Sequence, residues 1–418
     1  MTSLHAVTRP LSAYVDGPVD LNDIAGSDGV LFVRNAVGLA GHGVAARCSV
    51  DDAPAVLAGI EHRSEVVSAA GLSPADGGPV AVGVVPFTPG QPGSMVIPHV
   101  SVRKHPDGST TVTVTDDRSA DHTPDATESV RGVLTGTSPG PATAAGFSIE
   151  PAVDVEHYLA AVATARDAVR DGDLTKAVIA RPIIVRSGAR IDVHAVLRRL
   201  RASFGSSYRY SIDGFIGASP ELLVEVDGPV VRSHPLAGTA PRTGDVDNDA
   251  RIAADLVAST KNQIEHRVVI DVVHDTLLPW ASYLDWEPEP SIVTVANVQH
   301  LGTRMEGMLS QPQPNVLELV RALSPTPALG GHPRDRALEL IEDVEGFDRG
   351  RYGGAVGWVD AAGNGTWAVA IRCAELADDR CSARLVAGGG IVADSDPLAE
   401  LAETQAKFQA MLSAIVRP

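Results

Sequence analysis

The last predicted helix of the chain carries two glutamates and a lysine on one face. Glu400, Glu403 and Lys407 follow one another at i, i+3 and i+7, a spacing that brings side chains together on a helix. Two carboxylates on one face can hold a hard cation such as Mg²⁺, which prefers oxygen ligands. The same residues also fit a solvated acidic face with an ion pair between Glu403 and Lys407. The spacing alone leaves both interpretations open.

A second lysine and a third glutamate have surroundings that suit acid–base chemistry. Lys176 lies between the end of a predicted helix and the apolar segment AVIA, where burial would lower the pKa of its amine toward that of a general base. Glu221 stands between a Ser-Pro dipeptide and two leucines, and this apolar setting would raise the pKa of its carboxyl and suit a general acid. A surface lysine and a structural glutamate are the alternatives.

An arginine and a run of glycines could recognise an anion. Arg372 shares one face of a predicted hairpin strand with small side chains, so its guanidinium could capture a carboxylate or, as an edge arginine, reach solvent. The glycines at 388–390 follow a predicted strand and could cradle an anion with their N–H groups, although such a run is also typical of a turn. Glu265, on a long predicted helix, could supply a further metal carboxylate or be exposed.

Several well-known motifs are missing from the sequence. It contains no Ser/His/Asp order of a hydrolase, no H-E-x-x-H, no EF-hand loop, no Rossmann glycine fingerprint and no Walker A lysine. The residues alone therefore point to a possible Mg²⁺ site beside a site for a carboxylate substrate, and no further.

Hydrophobic periodicity predicts the elements that position these residues. The predicted elements are a helix over 155–171, the strand AVIARPIIVR, strands near 208–216 and 222–226, one long helix over 249–276 capped by Asn248 or Asp249, a hairpin with Asn364-Gly365 in its turn, a strand over 383–387, and a final helix from Asp396-Pro397.

The first 150 residues give weaker signals. Residues 1–103 contain short β-like segments between glycines and prolines, with one helical stretch near 53–70. Residues 104–148 are rich in Thr, Ser, Asp, Gly and Pro, and after the strand TTVTVT they are typical of a polar surface connection. Because strands and helices are mixed without regular βαβ alternation, we predict an α+β fold with largely antiparallel sheets. We divide it into an N-terminal part, 1–150, and a region carrying the candidate site, 151–418.

Composition excludes several classes of protein. The chain has 418 residues, with 34 Lys and Arg against 52 Asp and Glu, so its formal net charge is −18. Because it is acidic and has no basic block, we expect it to bind neither nucleic acid nor an anionic membrane surface. The longest stretch without a charged residue, 77–102, contains five prolines and cannot be a transmembrane helix. Three scattered cysteines and an N-terminus without signal-peptide features predict a cytoplasmic protein with reduced thiols.

Nine segments of the chain, taken together, form a specific pattern. The segments are DLTKAVIAR, GASPELLVEV, HPLAGTAPR, IEHRVV, SPTPALGG, FDRGRYGGAVGWVD, GNGTWAVAIRC, AGGGIV and DPLAELAETQAKF. Together they resemble the chorismate-utilising enzymes, and specifically the isochorismate synthases. They occur in the family's order between about residues 155 and 413, whereas before about residue 150 mainly FVRNAVGLAG and VGVVPF match. The resemblance implies a single large α+β domain, in which two antiparallel β-sheets pack around helices, and an Mg²⁺-dependent site.

The resemblance also implies a role for each candidate residue. Lys176 matches the lysine that activates water for attack on C2 of chorismate, and Glu221 matches the general acid that protonates the departing C4 hydroxyl. Glu265 and Glu403 resemble the Mg²⁺ ligands, with Glu400 a third or water-mediated ligand. The matching substrate-binding positions are Gly238, Thr239, His300, Ala328, Leu329, Tyr352, Ile371, Arg372, Gly389, Gly390 and Lys407.

Lys176 also distinguishes among relatives. Ammonia-using members, such as anthranilate synthases, usually carry a small residue there and recruit a glutaminase, so a lysine implies water as the nucleophile and no obligate glutaminase subunit. Salicylate synthases share the lysine and go on to eliminate pyruvate, but the segment PTPAL at 325–329 looks more like that of isochorismate synthases. Arg267 and Thr260 depart from the pattern, in which acidic residues are commoner at both positions.

Two alternatives to an isochorismate synthase stay open, a salicylate synthase and a chorismate-binding protein without catalysis. Retention of the lysine and the three glutamates at positions 176, 221, 265 and 403 argues against the second, since an inactive protein need not keep all four. We expect a monomer whose product would feed siderophore or menaquinone synthesis.

Overall fold

The computed structural model describes residues 4–66, 77–117, 124–136 and 146–417. No helix within these residues is long and apolar enough to cross a membrane. The α-helices of the described residues are α1 (Leu21–Ala25), α2 (Ala53–Ala58), α3 (Pro124–Leu134), α4 (Val155–Arg170), α5 (Val193–Phe204), α6 (Val246–Ala258), α7 (Thr260–Leu277), α8 (Val316–Leu323), α9 (Arg334–Glu345) and α10 (Pro397–Val416).

The largest sheet has 13 strands, and all of its neighbours pair antiparallel except the two at one edge, β1 and β5. In spatial order its strands are β10 (Phe147–Pro151), β11 (Lys176–Ser187), β25 (Ser382–Ile391), β24 (Cys373–Leu376), β13 (Phe215–Ser219), β12 (Tyr208–Ile212), β2 (Val30–Arg34), β3 (Val37–His42), β8 (Val100–Lys104), β9 (Thr110–Asp116), β1 (His5–Pro10) and β5 (Glu61–Ser64), with β21 (Gly331–His332) paired to β11.

A second sheet has nine strands and a third has three, and both are antiparallel. The second contains β17 (Ala281–Trp286), β20 (Met305–Leu309), β15 (Val230–His234), β14 (Leu222–Asp227), β23 (Gly365–Val369), β22 (Ala355–Asp360), β6 (Val80–Val85), β7 (Ser94–Ile97) and β4 (Ala46–Ser49). The third contains β16 (Leu236–Pro241), β19 (Val298–Gly302) and β18 (Ser291–Thr294).

The predicted α+β class with antiparallel sheets is confirmed, and the small third sheet is an addition to the two expected. Its strands are only four to six residues long, too short for an alternating pattern to stand out in the sequence. It matters for the site because β16 carries Gly238 and Thr239, while β19 carries His300.

Two apolar clusters lie on opposite faces of the largest sheet. Along β2, Val30 and Phe32 belong to the first cluster, whereas Leu31 and Val33 belong to the second. This alternation is what a strand with both faces buried requires. The first cluster also contains Trp367 of the nine-stranded sheet, so the two large sheets share one core.

The long helix expected over 249–276 is two helices, because the chain is extended at Ser259. This residue has φ −71° and ψ 109°, and its hydroxyl accepts a hydrogen bond from Asn262 N–H, which caps α7. The cap of α6 is Asp245, not the predicted Asn248 or Asp249. Helical periodicity continues through the break, so the sequence pattern gave no sign of it. The break puts Lys261 and Asn262 in the first turn of α7.

The helices predicted on either side of the site are confirmed. The helix expected over 155–171 is α4, and the final helix begins at Pro397. The side chain of Asp396 accepts a hydrogen bond of 2.9 Å from Ala399 N–H, as expected for a cap followed by proline in the first turn.

Two strand predictions near the C-terminus are wrong in detail. The hairpin turn contains Asn364 as predicted, but Gly365 already belongs to the second strand. That strand ends at Val369, so Arg372 does not share a strand face with the small residues before it. The glycines 388–390 are not a turn after a strand, because β25 continues through them to Ile391 and pairs them with β11. A neighbouring strand can thus hold a glycine run extended where local sequence would predict a turn.

The N-terminal part differs from its predicted outline. The helix near 53–70 ends at Ala58 and is followed by β5, and positions 67–70 lie outside the described residues. Within the supposed polar connection, α3 buries Val130 and Leu134 in the second core cluster. Both large sheets contain strands from before and after residue 150, as where β2 pairs with β12 and β6 with β22. The division at residue 150 stays a prediction.

Candidate active site

A cavity of about 260 Å³ lies where the three sheets meet α7 and α10. Every site residue predicted from the sequence lines it, with the exception of Gly389. The predicted residues that line it are Lys176, Glu221, Gly238, Thr239, Glu265, His300, Ala328, Leu329, Tyr352, Ile371, Arg372, Gly390, Glu400, Glu403 and Lys407. Residues far apart in the chain therefore converge on one space.

Lys176 is buried in this cavity and paired with a carboxylate. It is the first residue of β11, and its side chain is only 3% exposed. Its Nζ donates a hydrogen bond of 2.7 Å to Oε1 of Glu265 on α7. A Cβ at Gly390 on the adjacent strand would lie 2.8 Å from both Glu265 Oε1 and Lys176 Cε, so only glycine leaves room for the pair. The alternative of a surface lysine is wrong.

Glu221 is buried between β13 and β14. Its Oε1 accepts a hydrogen bond of 3.3 Å from Leu236 N–H, and the residue is 3% exposed. Burial raises the pKa of its carboxyl to about 7, although the Leu236 N–H and the charges of Lys176 and Arg372 oppose the shift. The predicted direction is confirmed. A carboxyl with this pKa is protonated often enough near neutral pH to donate a proton.

The predicted face of α10 forms one wall of the cavity. Glu403 pairs with Lys407 at 2.6 Å, and Lys407 also donates to the Gly388 carbonyl at 2.7 Å. Burial and the nearby charge of Glu403 raise the pKa of Glu400 to about 7, while Ser395 donates to its Oε1 at 2.8 Å. Burial also opposes ionisation of Glu403, but Lys407 outweighs it and holds the pKa of Glu403 below its usual value. The pKa values of the two glutamates are therefore shifted in opposite directions.

Three carboxylates of the cavity are of the chemical type that a hard divalent cation binds. Glu265, Glu400 and Glu403 line it together, and carboxylates are preferred ligands of Mg²⁺. A Cβ on Gly389 would lie 2.5 Å from Glu400 Oε2, so glycine gives this oxygen space. Within the described part of the chain, no three His, Cys, Asp or Glu side chains are grouped closely enough to hold a metal ion. Two of these carboxylates form ion pairs with lysines instead, Glu265 with Lys176 and Glu403 with Lys407.

Arg372 contributes a guanidinium without an acidic partner. Among the residues described, no carboxylate lies within ion-pair distance of it, and its Nη2 is 3.5 Å from His300 Nε2. Its φ of 51° is in the left-handed region, which non-glycine residues rarely adopt. Such strain persists where the surrounding structure enforces it, often at functional sites. The conformation of the segment between β23 and β24 therefore fixes the position from which the Arg372 side chain enters the cavity.

His300 and Thr239 face Arg372 from the third sheet. The His300 ring Nδ1 lies 3.1 Å from the Thr239 hydroxyl. Burial, together with the charges of Arg372 and Lys407, holds the pKa of His300 well below its usual value. A neutral imidazole beside Arg372 adds no positive charge of its own and leaves the guanidinium available for an anionic ligand.

The remaining predicted residues make a less polar wall. Ala328 and Leu329 follow α8, while Tyr352 and Ile371 flank the second sheet. Tyr352 is buried, and burial raises the pKa of its phenol to about 12. This wall can contact the carbon skeleton of a small ligand while the charged groups bind its anionic ends.

Sequence reasoning missed several lining residues. Lys261 and Asn262 precede Glu265 by four and three positions, and that helical spacing was the available signal for them. Arg267, one of the two departures from the family pattern, forms a 2.7 Å ion pair with Asp271 outside the cavity. The missed residues are Val178, Pro220, Leu236, Ala237, Lys261 and Asn262, whereas Gly388 belongs to the glycine run that the sequence had already singled out.

Comparisons with known proteins agree on one family. Residues 39–416 match the family model described as chorismate binding enzyme. A protein of Mycobacterium tuberculosis (strain H37Rv) that carries the name MenF is 38% identical over 352 residues, which cover 81% of this chain and 86% of that protein. The isochorismate synthase DhbC of Bacillus subtilis is 42% identical over 280 residues, covering 64% of this chain and 70% of that one.

A solved structure shares the fold over nearly the whole length. The menaquinone-specific isochorismate synthase MenF of Escherichia coli superposes with a TM-score of 0.83, covering 99% of this chain and 95% of that one. Its sequence is 24% identical to this chain, so this likeness concerns the fold.

Proposed function

The chain belongs to the chorismate-binding enzyme family, and from that membership we propose that it is an isochorismate synthase, an isomerase that interconverts chorismate and isochorismate. The reaction exchanges a hydroxyl at C4 for one at C2, so it needs a base for the incoming water and an acid for the leaving oxygen. The observation that carries the proposal is the convergence of buried Lys176 and buried Glu221 on one cavity.

The two residues would divide the proton transfers between them. The Lys176 amine takes a proton from the water that attacks C2, and the Glu221 carboxyl donates a proton to the C4 hydroxyl, which leaves as water. One water is consumed and one is released, so the reaction is an isomerisation that can run in both directions. General acid and base groups each typically contribute about 10²–10⁴-fold in rate.

Glu265, Glu400 and Glu403 would hold Mg²⁺. When bound, the ion would neutralise one of the two carboxylates of chorismate, which an acidic cavity would otherwise repel. In the structure, the carboxylate of Glu265 forms an ion pair of 2.7 Å with Lys176, so this proposed ligand lies beside the proposed base.

The second carboxylate of the substrate would bind the cationic end of the cavity. Arg372 has no carboxylate partner among the described residues, and Lys407 donates a hydrogen bond to the Gly388 carbonyl on β25. Backbone groups at Gly390 and Gly238 and the side chains of Thr239, His300 and Tyr352 complete the proposed binding positions. Bidentate recognition by an arginine would fix the orientation of the ring relative to the acid and the base.

Product analysis tests the proposal. The purified protein is mixed with chorismate, with and without Mg²⁺, and the products are separated by liquid chromatography. We expect isochorismate only with Mg²⁺, with neither salicylate nor pyruvate. Salicylate and pyruvate in its place would make the protein a salicylate synthase, and binding without conversion would make it a chorismate-binding protein. Lys176→Ala is the matched inactive variant and Lys104→Ala, far from the cavity lining, the active one.

A further inference from the structure

Glu345 and Arg349 form an ion pair in the interior of the protein. Glu345 is the last residue of α9, Arg349 follows it by four positions, and each side chain is 1% exposed. The guanidinium donates two hydrogen bonds to the carboxylate, from Nε at 2.8 Å and from Nη2 at 2.5 Å. This bidentate contact fixes the plane of the guanidinium relative to the plane of the carboxylate.

The pair also holds two backbone segments that lie far apart in the chain. Arg349 Nη1 donates to the Leu329 carbonyl and Nη2 to the Val178 carbonyl, each at 2.7 Å. Glu345 Oε1 accepts a hydrogen bond of 2.7 Å from Ala180 N–H. The pair thereby bridges β11 to the segment 326–331, in addition to the strand pairing of Ala177 with Gly331.

Both bridged segments are walls of the cavity. Val178 and Leu329 line it, and Val178 is two residues along β11 from Lys176. A third wall residue, Tyr352, donates its N–H to the Arg349 carbonyl at 3.2 Å. The Arg349 guanidinium therefore lies behind the junction of two walls. One wall carries Lys176, the proposed base, and the other carries Leu329 and Tyr352.

We propose that Glu345 and Arg349 are positioning residues, which set the distance between the strand of Lys176 and the wall formed by Leu329 and Tyr352. This inference rests on the proposed function. Stability alone is a poor reason for such a pair, because replacing a buried ion pair with apolar side chains of similar volume is often neutral or stabilising. An apolar pair cannot donate to the two carbonyls, so the spacing of the walls would be lost while the fold remains.

Two variants separate positioning from stability. Arg349→Lys keeps the charge but loses the planar fork that reaches both carbonyls. The double variant Glu345→Leu/Arg349→Met removes the pair without leaving a buried unpaired charge. Arg336→Lys is the matched control, because Arg336 lies on α9 as well but pairs with Glu339 on the exposed surface and does not line the cavity.

For each variant, kcat and KM for chorismate are measured in the presence of Mg²⁺, at a temperature well below the midpoint of thermal unfolding of that variant. We expect kcat to fall about 10²-fold in both variants, as a wall displaced by about 1 Å would cause. We expect KM to change less than about threefold and the control to match the unaltered protein. A double variant that keeps its fold and a kcat within about threefold of the unaltered protein would overturn the inference.

Hydrogen exchange separates failure of this inference from failure of the proposed function. If the unaltered protein does not convert chorismate, the proposed function is wrong, and exchange in peptides 176–182 and 326–331 still tests the bridge. Faster exchange in both peptides in the Arg349→Lys variant, but not in the Arg336→Lys variant, supports the bridge. Unchanged exchange in both peptides overturns it.

Discussion

The ammonium of Lys176 and the carboxylate of Glu265 form an ion pair at 2.7 Å, although 89 positions separate them in the chain. The pair links the first residue of β11 to the middle of α7, and the absence of a side chain at Gly390 leaves space for it. In the proposed reaction, this contact joins the base to a proposed ligand of Mg²⁺. A substitution at either residue should therefore affect both proton transfer and Mg²⁺ binding.

Glu265→Gln should weaken the response to Mg²⁺. The substitution removes one of three proposed carboxylate ligands while keeping the size of the side chain. We expect the Mg²⁺ concentration for half-maximal activity, and the Kd for Mg²⁺ by calorimetry, to rise about 10–100-fold. Glu342→Gln on the exposed side of α9 is the control and should leave both values unchanged. A normal Mg²⁺ Kd in the Glu265→Gln variant would remove Glu265 from the proposed ligand set.

Glu221→Gln should abolish most turnover. It should also remove the decrease in rate that we expect for the unaltered protein at alkaline pH. Because the pKa of Glu221 is about 7, ionisation above that pH removes the proton that the C4 hydroxyl needs. In the unaltered protein, kcat for chorismate should therefore decrease as pH rises above about 7. The variant should lose about 10²–10⁴-fold in kcat yet bind chorismate in calorimetry. A variant with an unchanged rate and pH profile would show that Glu221 is not the acid.

The same substitution should stabilise the fold at high pH only. Because burial raises the pKa of Glu221 to about 7, the folded protein binds more protons than the unfolded one between pH 4.5 and 7 and loses stability as pH rises through that range. A neutral glutamine avoids this loss, so Glu221→Gln should increase the free energy of unfolding at pH 8 by up to about 3 kcal/mol and leave it nearly unchanged at pH 4.5. Urea unfolding at both pH values measures the difference. An equal effect at the two pH values would contradict the raised pKa.

Gly390→Ala should disrupt the base and its partner by steric contact. The new Cβ would come within 2.8 Å of Glu265 Oε1 and Lys176 Cε, and a displacement of about 1 Å can cost about 10²-fold in rate. We expect kcat to fall by that order, measured by isochorismate formation. Gly132→Ala is the control, since nothing lies within 4 Å of its Cβ position on α3. Full activity in the Gly390→Ala variant would mean that this contact does not matter for the reaction.

Arg372→Lys should weaken substrate binding more than turnover. A hydrogen bond to a charged group contributes about 1.5–3 kcal/mol, and lysine cannot reproduce the bidentate geometry of the guanidinium. We expect KM and the calorimetric Kd for chorismate to rise about 10–100-fold. Arg351→Lys, which alters an arginine paired with Glu375 outside the cavity lining, should change neither. An unchanged Kd in the Arg372→Lys variant would exclude a carboxylate contact.

The local sequence was sufficient to predict those features of the site that depend on residues close together in the chain. The shared face of Glu400, Glu403 and Lys407 follows from helical spacing, and the start of α10 follows from the Asp396-Pro397 cap. The apolar neighbours of Glu221 gave the direction of its pKa shift, since desolvation acts whatever the partner.

Other features had no local signal. The extended backbone at Ser259 divides one periodic segment into α6 and α7, and the positive φ of Arg372 removes that residue from the strand on which alternation had placed it. The glycines 388–390 form strand because Ile179 and its neighbours on β11 pair with them across the sheet. Ile179 and Gly389 are 210 positions apart, so a pattern of adjacent positions cannot reveal that they pair.

The sequence by itself determined which residue types are available and in what local order: the helix faces, the caps, the apolar strands and the motifs of the family. Only the tertiary structure decided which of them meet, such as Lys176 with Glu265 and Glu345 with Ala180. The physical reason is that spacing and capping act within a turn or two of the chain, whereas burial, ion pairing and steric room depend on segments that become neighbours only when the sheets and helices pack together.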